Sequence, residues 1–183
     1  MSDQPSESRS DVKPPSQSAK TTPDVFERLT AALNNAGIPF EHMHHEAVYT
    51  SSEAARVRNT PIHSGAKALI VKGGKIFLMV VLPADMALDG RAVQKHLKVK
   101  RLRFARKEEV LSITGLTPGS IPPFGSLFGL ETVCDERLAE NVDINFNAGL
   151  HTDSLKIKYV DYITYEKPDF GLVAKWPEES TEQ

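Results

Sequence analysis

The chain has 183 residues, 40% hydrophobic and 25% charged, with a formal net charge of −2. That suits one soluble domain with a real core and excludes a global positive field for holding nucleic acid, so a polyanionic partner needs a local basic patch. Cys134 is the only cysteine, which excludes an intrachain disulfide and multi-cysteine zinc sites and fits a reducing, cytoplasmic setting.

Residues 1–22 are rich in Ser, Pro, Gln and Lys and read as a disordered tail. Their polar, acid-containing start is unlike a signal or transit peptide, and no apolar run approaches the ~20 residues of a membrane span. The folded unit is expected over 23–168. A C-terminal tail is expected over 169–183, with Trp176 as its one residue suited to docking back.

The first element is a helix. Val25, Phe26, Leu29, Ala32, Leu33 and Ala36 recur at helical spacing behind a cap at Asp24 or Thr22, and Gly37 stops it. A strand follows over 39–44. Thr50-Ser51-Ser52-Glu53 is a capping box that opens a short helix through Arg58. Residues 68–72 and 75–82 are β-rich runs joined by Gly73-Gly74, a two-residue hairpin signal. Asp89 or Gly90 opens a helix carrying Ala92, Val93 and Leu97. Leu102 and Phe104 lie in a short strand, and residues 107–111 form one helical turn. Strands are expected over 127–134, 142–148 and 155–163, with Asp135 capping a short helix through Glu140. Leu155, Ile157 and Tyr159 alternate with Lys156 and Lys158, so one face of that last strand is wet. Short helices among many strands, without regular βαβ alternation, predict a single α+β domain on a curved mixed β-sheet with short flanking helices.

Five features carry candidate chemistry. The run GLTPGSIPPFG over 115–125 packs three glycines and three prolines into a stiff loop with bare amides, suited to a ligand or to a rigid crossover alone. Lys67 stands at the start of an apolar strand, where a held ammonium can meet a phosphate, or can be an ordinary surface lysine. The spacing of a phosphate-binding P-loop is absent. Arg91, Lys95, Lys98, Lys100, Arg101, Arg103, Arg106 and Lys107 form a basic run without an acid, suited to a nucleic-acid backbone or to a solvated face. His42 and His44 share a strand face beside His45, but no carboxylate or cysteine partner stands out for a metal. His151 lies in a turn-rich loop, suited to a ligand bond or to solvent. Cys134 reads as a core residue rather than a reactive thiol. No serine lies in a GxSxG elbow, so water is the more plausible nucleophile of any hydrolysis.

Five segments in order, HEAVYTSSEAA (45–55), GAKAL (65–69), GLTPGSIPPFG (115–125), DERL (135–138) and NAGLHTDS (147–154), resemble the YbaK/prolyl-tRNA-synthetase-associated domain family in its free-standing form. The resemblance spans about residues 38–165. It implies that family's fold and the trans-editing hydrolysis of the ester bond of mischarged aminoacyl-tRNA by water, assisted by the substrate's own hydroxyl, with no metal or other cofactor. It places Lys67 at the family lysine, which holds the terminal adenosine end. Gly115, Pro118 and Gly119 fall in the glycine-proline loop of the aminoacyl pocket, and Asn147, Gly149 and Ser154 in the last motif that lines it. His151 in the same loop and Thr50 in the first motif join the substrate-binding set. Some relatives carry serine where Asn147 stands. The implied partner is the acceptor end of a mischarged tRNA, with no membrane. Association with a synthetase and the oligomeric state stay open. The alternatives are a non-catalytic RNA- or nucleotide-binding module of the same fold, and a domain that binds or hydrolyses another small ester.

Overall fold

The computed structural model describes residues 24–177; the tail expected over 1–22 lies outside them. Helix α1 (Val25–Asn35) starts where the Asp24 carboxylate accepts from the Glu27 amide at 2.8 Å, and it buries Val25, Leu29 and Leu33. Strand β1 (Glu41–His44) leads to helix α2 (Ser51–Arg58). There Thr50 accepts from the Glu53 amide at 3.1 Å and Glu53 accepts in return from the Thr50 amide at 3.1 Å. A 3-10 turn (Ile62–Ser64) enters the hairpin β2 (Ala66–Gly73) and β3 (Ile76–Pro83). Then come β4 (Ala87–Leu88), α3 (Gly90–Leu97), β5 (Leu102–Phe104) and α4 (Lys107–Thr114). A 3-10 turn (Gly125–Phe128), β6 (Glu131–Asp135), a further 3-10 turn (Glu136–Glu140) and β7 (Asp143–Leu150) follow. The chain ends through β8 (Asp153–Lys158), α5 (Tyr159–Glu166), β9 (Asp169–Gly171) and β10 (Ala174–Lys175).

The α+β expectation is met by three sheets. A mixed five-stranded sheet has the order β5-β2-β3-β6-β9, antiparallel at β5/β2 and β2/β3 and parallel at β3/β6 and β6/β9. An antiparallel sheet has the order β1-β8-β7, and β10 pairs with β4 in a small ribbon. Strand β3 is buried on both faces, which is why its sequence is a continuous apolar run. Met79 and Val81 join Ile144, Phe146, Leu155 and Ile157 and helix α1 in one core. Leu78, Val80 and Leu82 join Val93 of α3 in another. A lone parallel bridge between Gly65 and Asn145 ties the two larger sheets together.

Four local expectations are corrected. Gly73 pairs with Ile76, so the hairpin turn is Gly74-Lys75, one residue later than expected. The helical turn over 107–111 runs on to Thr114, where Gly115 at φ +71° ends it. The strand expected over 127–134 starts only at Glu131. Before it, Glu166 accepts from the Ser126 amide and hydroxyl and the Thr132 hydroxyl, fixing a 3-10 turn. The strand expected over 155–163 ends at Lys158 and becomes α5, because burying Tyr162 and bonding its hydroxyl to the Pro123 carbonyl (2.9 Å) outweigh β propensity.

Residues 169–175, expected in the C-terminal tail, belong to the fold. The buried Asp135 carboxylate accepts from the Val173 and Ala174 amides at 2.8 and 2.7 Å, and β9 extends the sheet beside β6.

Candidate active site

The capping box fixes where α2 begins, and so which face it turns inward. Ala54, Ala55 and Arg58 on that face line a cavity of about 130 Å³. Thr50 closes one side. Ala66, Lys67 and Ala68 at the start of β2 form another, and Asn145 and Asn147 of β7 a third. Gly119 and Ile121 bring the glycine-proline loop to the same space. Four residues singled out by sequence therefore meet here: Thr50, Lys67, Gly119 and Asn147.

Lys67 is held, not free. Its ammonium donates to the carbonyls of Ala84 (3.3 Å) and Met86 in the turn after β3. Burial lowers its pKa, and the charge of Asp85 partly opposes that. Asp85 Oδ1 is buried with no hydrogen-bond partner among the described residues.

Asn147 bridges the two halves of the cavity. Its amide donates to the Gly119 carbonyl at 2.7 Å, and its Oδ1 accepts from Arg58. Gly119 needs to be glycine: its φ is +93°, and a Cβ there would stand 3.2 Å from His151 Cε1. The amides of Gly119 and Ile121 donate to no acceptor among the described residues.

The other expected residues lie around the cavity and do not line it. Ser154 sits behind Asn147, accepting from Arg58 Nε at 2.8 Å and bonding His45 Nε2 at 2.7 Å. His151 is a brace: Nδ1 bonds the Val48 carbonyl at 3.0 Å, Nε2 bonds the Thr117 hydroxyl at 3.2 Å, and its ring supports exposed Tyr49 at 4.7 Å. With both nitrogens occupied it is not poised as a base. Gly115 and Gly149 line a separate cleft beside the start of α1. Pro118 is exposed in the loop and lines neither space.

His42 and His44 do have a carboxylate nearby, contrary to expectation. Both bond Asp153 Oδ1, at 2.8 and 3.2 Å, because register places His44 opposite Asp153. Cys134 is fully buried, and burial followed by the Asp135 charge pushes its thiol up to about 12, so it stays a core residue.

Arg58 is the residue that sequence reading missed. It is half-buried, and desolvation lowers its pKa to about 10. Its partners are neutral, Ser154 and Asn147. The signal was available: Arg58 falls one turn after Ala54 and Ala55, on the stripe that a short helix turns inward.

The basic run divides. Glu109 binds Arg103 through both oxygens (2.7 and 2.7 Å) and Arg106 at 3.2 Å, so those two cations stabilise the start of α4. Lys100 and Arg101, with no carboxylate partner among the described residues, line an open groove together with Arg103, Lys72 and Gln94.

Residues 45–165 match the family model described as an aminoacyl-tRNA editing domain. The chain is 35% identical over 150 residues to the multifunctional Ser/Thr-tRNA deacylase ProXp-y of Escherichia coli (strain K12), covering 79% of this chain and 90% of that one. It is 32% identical over 87 residues to the proline--tRNA ligase of Thermotoga sp. (strain RQ2), covering 48% of this chain and 15% of the ligase. Among solved structures, one provisionally assigned as a trans-editing enzyme for prolyl-tRNA synthetase superposes with a TM-score of 0.74 at 20% identity, covering 85% of this chain and 99% of that one. At that identity the superposition speaks for the fold.

Proposed function

The chain belongs to the aminoacyl-tRNA editing domain family and is an aminoacyl-tRNA deacylase, and we propose that it acts on tRNA mischarged with a small hydroxyl amino acid, serine or threonine, held by its acceptor end. One observation carries the site assignment. Lys67, Gly119 and Asn147 come from three distant parts of the chain and line one small cavity. The cavity's modest volume and its polar wall of Thr50, Ser51, Asn145 and Asn147 suit a small polar side chain. The 35% identity to a Ser/Thr-tRNA deacylase supports the same choice.

In this reading Lys67 holds the terminal nucleotide. A water attacks the ester carbonyl carbon, and the amides of Gly119 and Ile121 meet the oxygen on which charge develops. The bond to the ribose oxygen then breaks, that oxygen takes the proton, and free amino acid and tRNA leave. Lys67 acts as an electrostatic anchor, since two backbone carbonyls already occupy its ammonium.

The test is a panel of tRNAs charged with serine, threonine, alanine and a large apolar residue. Seryl and threonyl esters should be cleaved fastest, and Lys67→Ala should remove at least about a hundredfold of kcat/KM while the protein stays folded by circular dichroism. A folded wild-type protein inactive on the whole panel refutes the reading. Cleavage only of the large apolar ester refutes the substrate assignment.

A further inference from the structure

The cavity wall holds two cations, Arg58 and Lys67, and no carboxylate. Lys67 has Asp85 behind it as a partial counter-charge. Arg58 has none. The nearby acids are committed elsewhere: Glu46 contacts Arg56 at 3.4 Å, and Asp153 serves His42 and His44. A guanidinium withdrawn from water without a counter-ion is costly to keep in a fold and is usually paired. Desolvation has already brought its pKa down to about 10.

Arg58 is held in a fixed pose. His45 Nδ1 donates to the Glu46 carbonyl at 2.6 Å, and Ser154 Oγ is held between His45 Nε2 at 2.7 Å and Asn147 Oδ1 at 3.3 Å. The Ser154 oxygen is thereby turned to accept from Arg58 Nε at 2.8 Å, while Asn147 Oδ1 accepts from Nη2. These bonds use two of the five N–H groups of a guanidinium. Three donors remain on a side chain that lines the cavity.

We propose that Arg58 is a catalytic residue of this site, a pre-oriented cation that contacts an anionic oxygen of the substrate. The inference rests on the deacylase reading for the identity of that oxygen. Two oxygens share the chemistry: the phosphate of the terminal nucleotide, and the carbonyl oxygen that becomes an oxyanion during attack. The Arg58–Asn147–Gly119 chain also links the guanidinium to the loop whose Gly119 and Ile121 line the same cavity.

Two variants separate charge from tethering. Arg58→Gln keeps a donor for Asn147 and loses the charge. Arg58→Lys keeps the charge and loses the fork. On mischarged tRNA, Arg58→Gln should lower kcat/KM about a hundredfold or more, and Arg58→Lys should recover about tenfold of that loss. An aminoacyl-adenosine without a 5′-phosphate then assigns the oxygen. The same loss on it points to the carbonyl, through kcat; a loss confined to tRNA points to the phosphate, through KM. Arg58→Gln with near-normal turnover on tRNA, or Arg58→Lys as poor as Arg58→Gln, overturns the proposal. Binding of inorganic phosphate, read by thermal shift, needs no turnover. If the wild-type protein is silent on every charged tRNA, the deacylase reading fails. The anion site then stands if phosphate stabilises the wild type and not Arg58→Gln, and falls if both respond alike.

Discussion

Gly115 and Gly119 stand four residues apart in the same loop, and both adopt left-handed backbone, at φ +71° and +93°. Their surroundings differ. A Cβ on Gly115 meets nothing within 4 Å, whereas one on Gly119 presses on the His151 ring at 3.2 Å. An L side chain in this region costs about 1–2 kcal/mol. Gly115→Ala and Gly119→Ala should therefore each lose about that much stability in urea unfolding. Only Gly119→Ala should also slow deacylation, by about tenfold or more, because it displaces the brace under Tyr49 and the carbonyl that positions Asn147. Equal slowing in Gly115→Ala would return Gly115 to the cavity from which the structure separates it. That Thr50, Lys67, Gly119 and Asn147 belong together was legible because motif order carried them, and the structure brings the four to one cavity. Arg58 was hidden because a helix cation beside Arg56 looks like solvent-facing charge until the burial of Ala54 and Ala55 shows which way the helix faces.

Elements fixed by neighbours in sequence were readable, and those fixed from afar were not. The cap of α1, the box at α2 and the apolar run of β3 are local signals. Helix α5 depends on Pro123, thirty-nine residues from Tyr162, and the passage from β9 into β10 is anchored to Asp135 through the Val173 and Ala174 amides. The edge strand β1 is another such case, joined to β8 by His42, His44 and Asp153 as well as by its ladder. Burial opposes ionisation of Asp153, but hydrogen bonds from Thr152, His42 and His44 outweigh it and lower the pKa. A carboxylate whose folded pKa lies below its unfolded value contributes stability above the unfolded value and loses it as pH falls through the folded one. Asp153→Asn should thus destabilise the protein by about 1 kcal/mol near pH 7. That difference from wild type should shrink as pH drops below the ordinary carboxylate range. A gap that stays constant from pH 7 to pH 3 in denaturant titrations would show that Asp153 acts through shape and not through charge.

At the scale of the whole molecule, strand β2 connects two charged places. Lys67 stands near its start at the cavity and Lys72 near its end at the groove of Lys100 and Arg101. Five steps of strand separate their Cα atoms by about 17 Å, with the two side chains on opposite faces of β2. That is too far for an amino acid ester on a single nucleoside and within reach of the polynucleotide behind it. Net charge is −2, so attraction for RNA must be local. Arg103 and Arg106 are occupied by Glu109, which leaves exposed Lys98, Lys100 and Arg101 as better cations to test. Reversing these three to glutamate should raise KM for charged tRNA and leave kcat nearly intact. The log–log dependence of binding on salt should flatten by about 0.7–0.9 for each phosphate that is no longer neutralised. Hydrolysis of an aminoacyl-adenosine should hardly change, because that substrate ends before the groove. If tRNA kinetics and salt slope are unchanged in the folded triple variant, the groove is only a solvated face. If the short substrate suffers equally, the substitutions have reached the cavity through β2. Only a loss confined to tRNA fits two stations on one strand, one holding the ester and the other the backbone that delivers it.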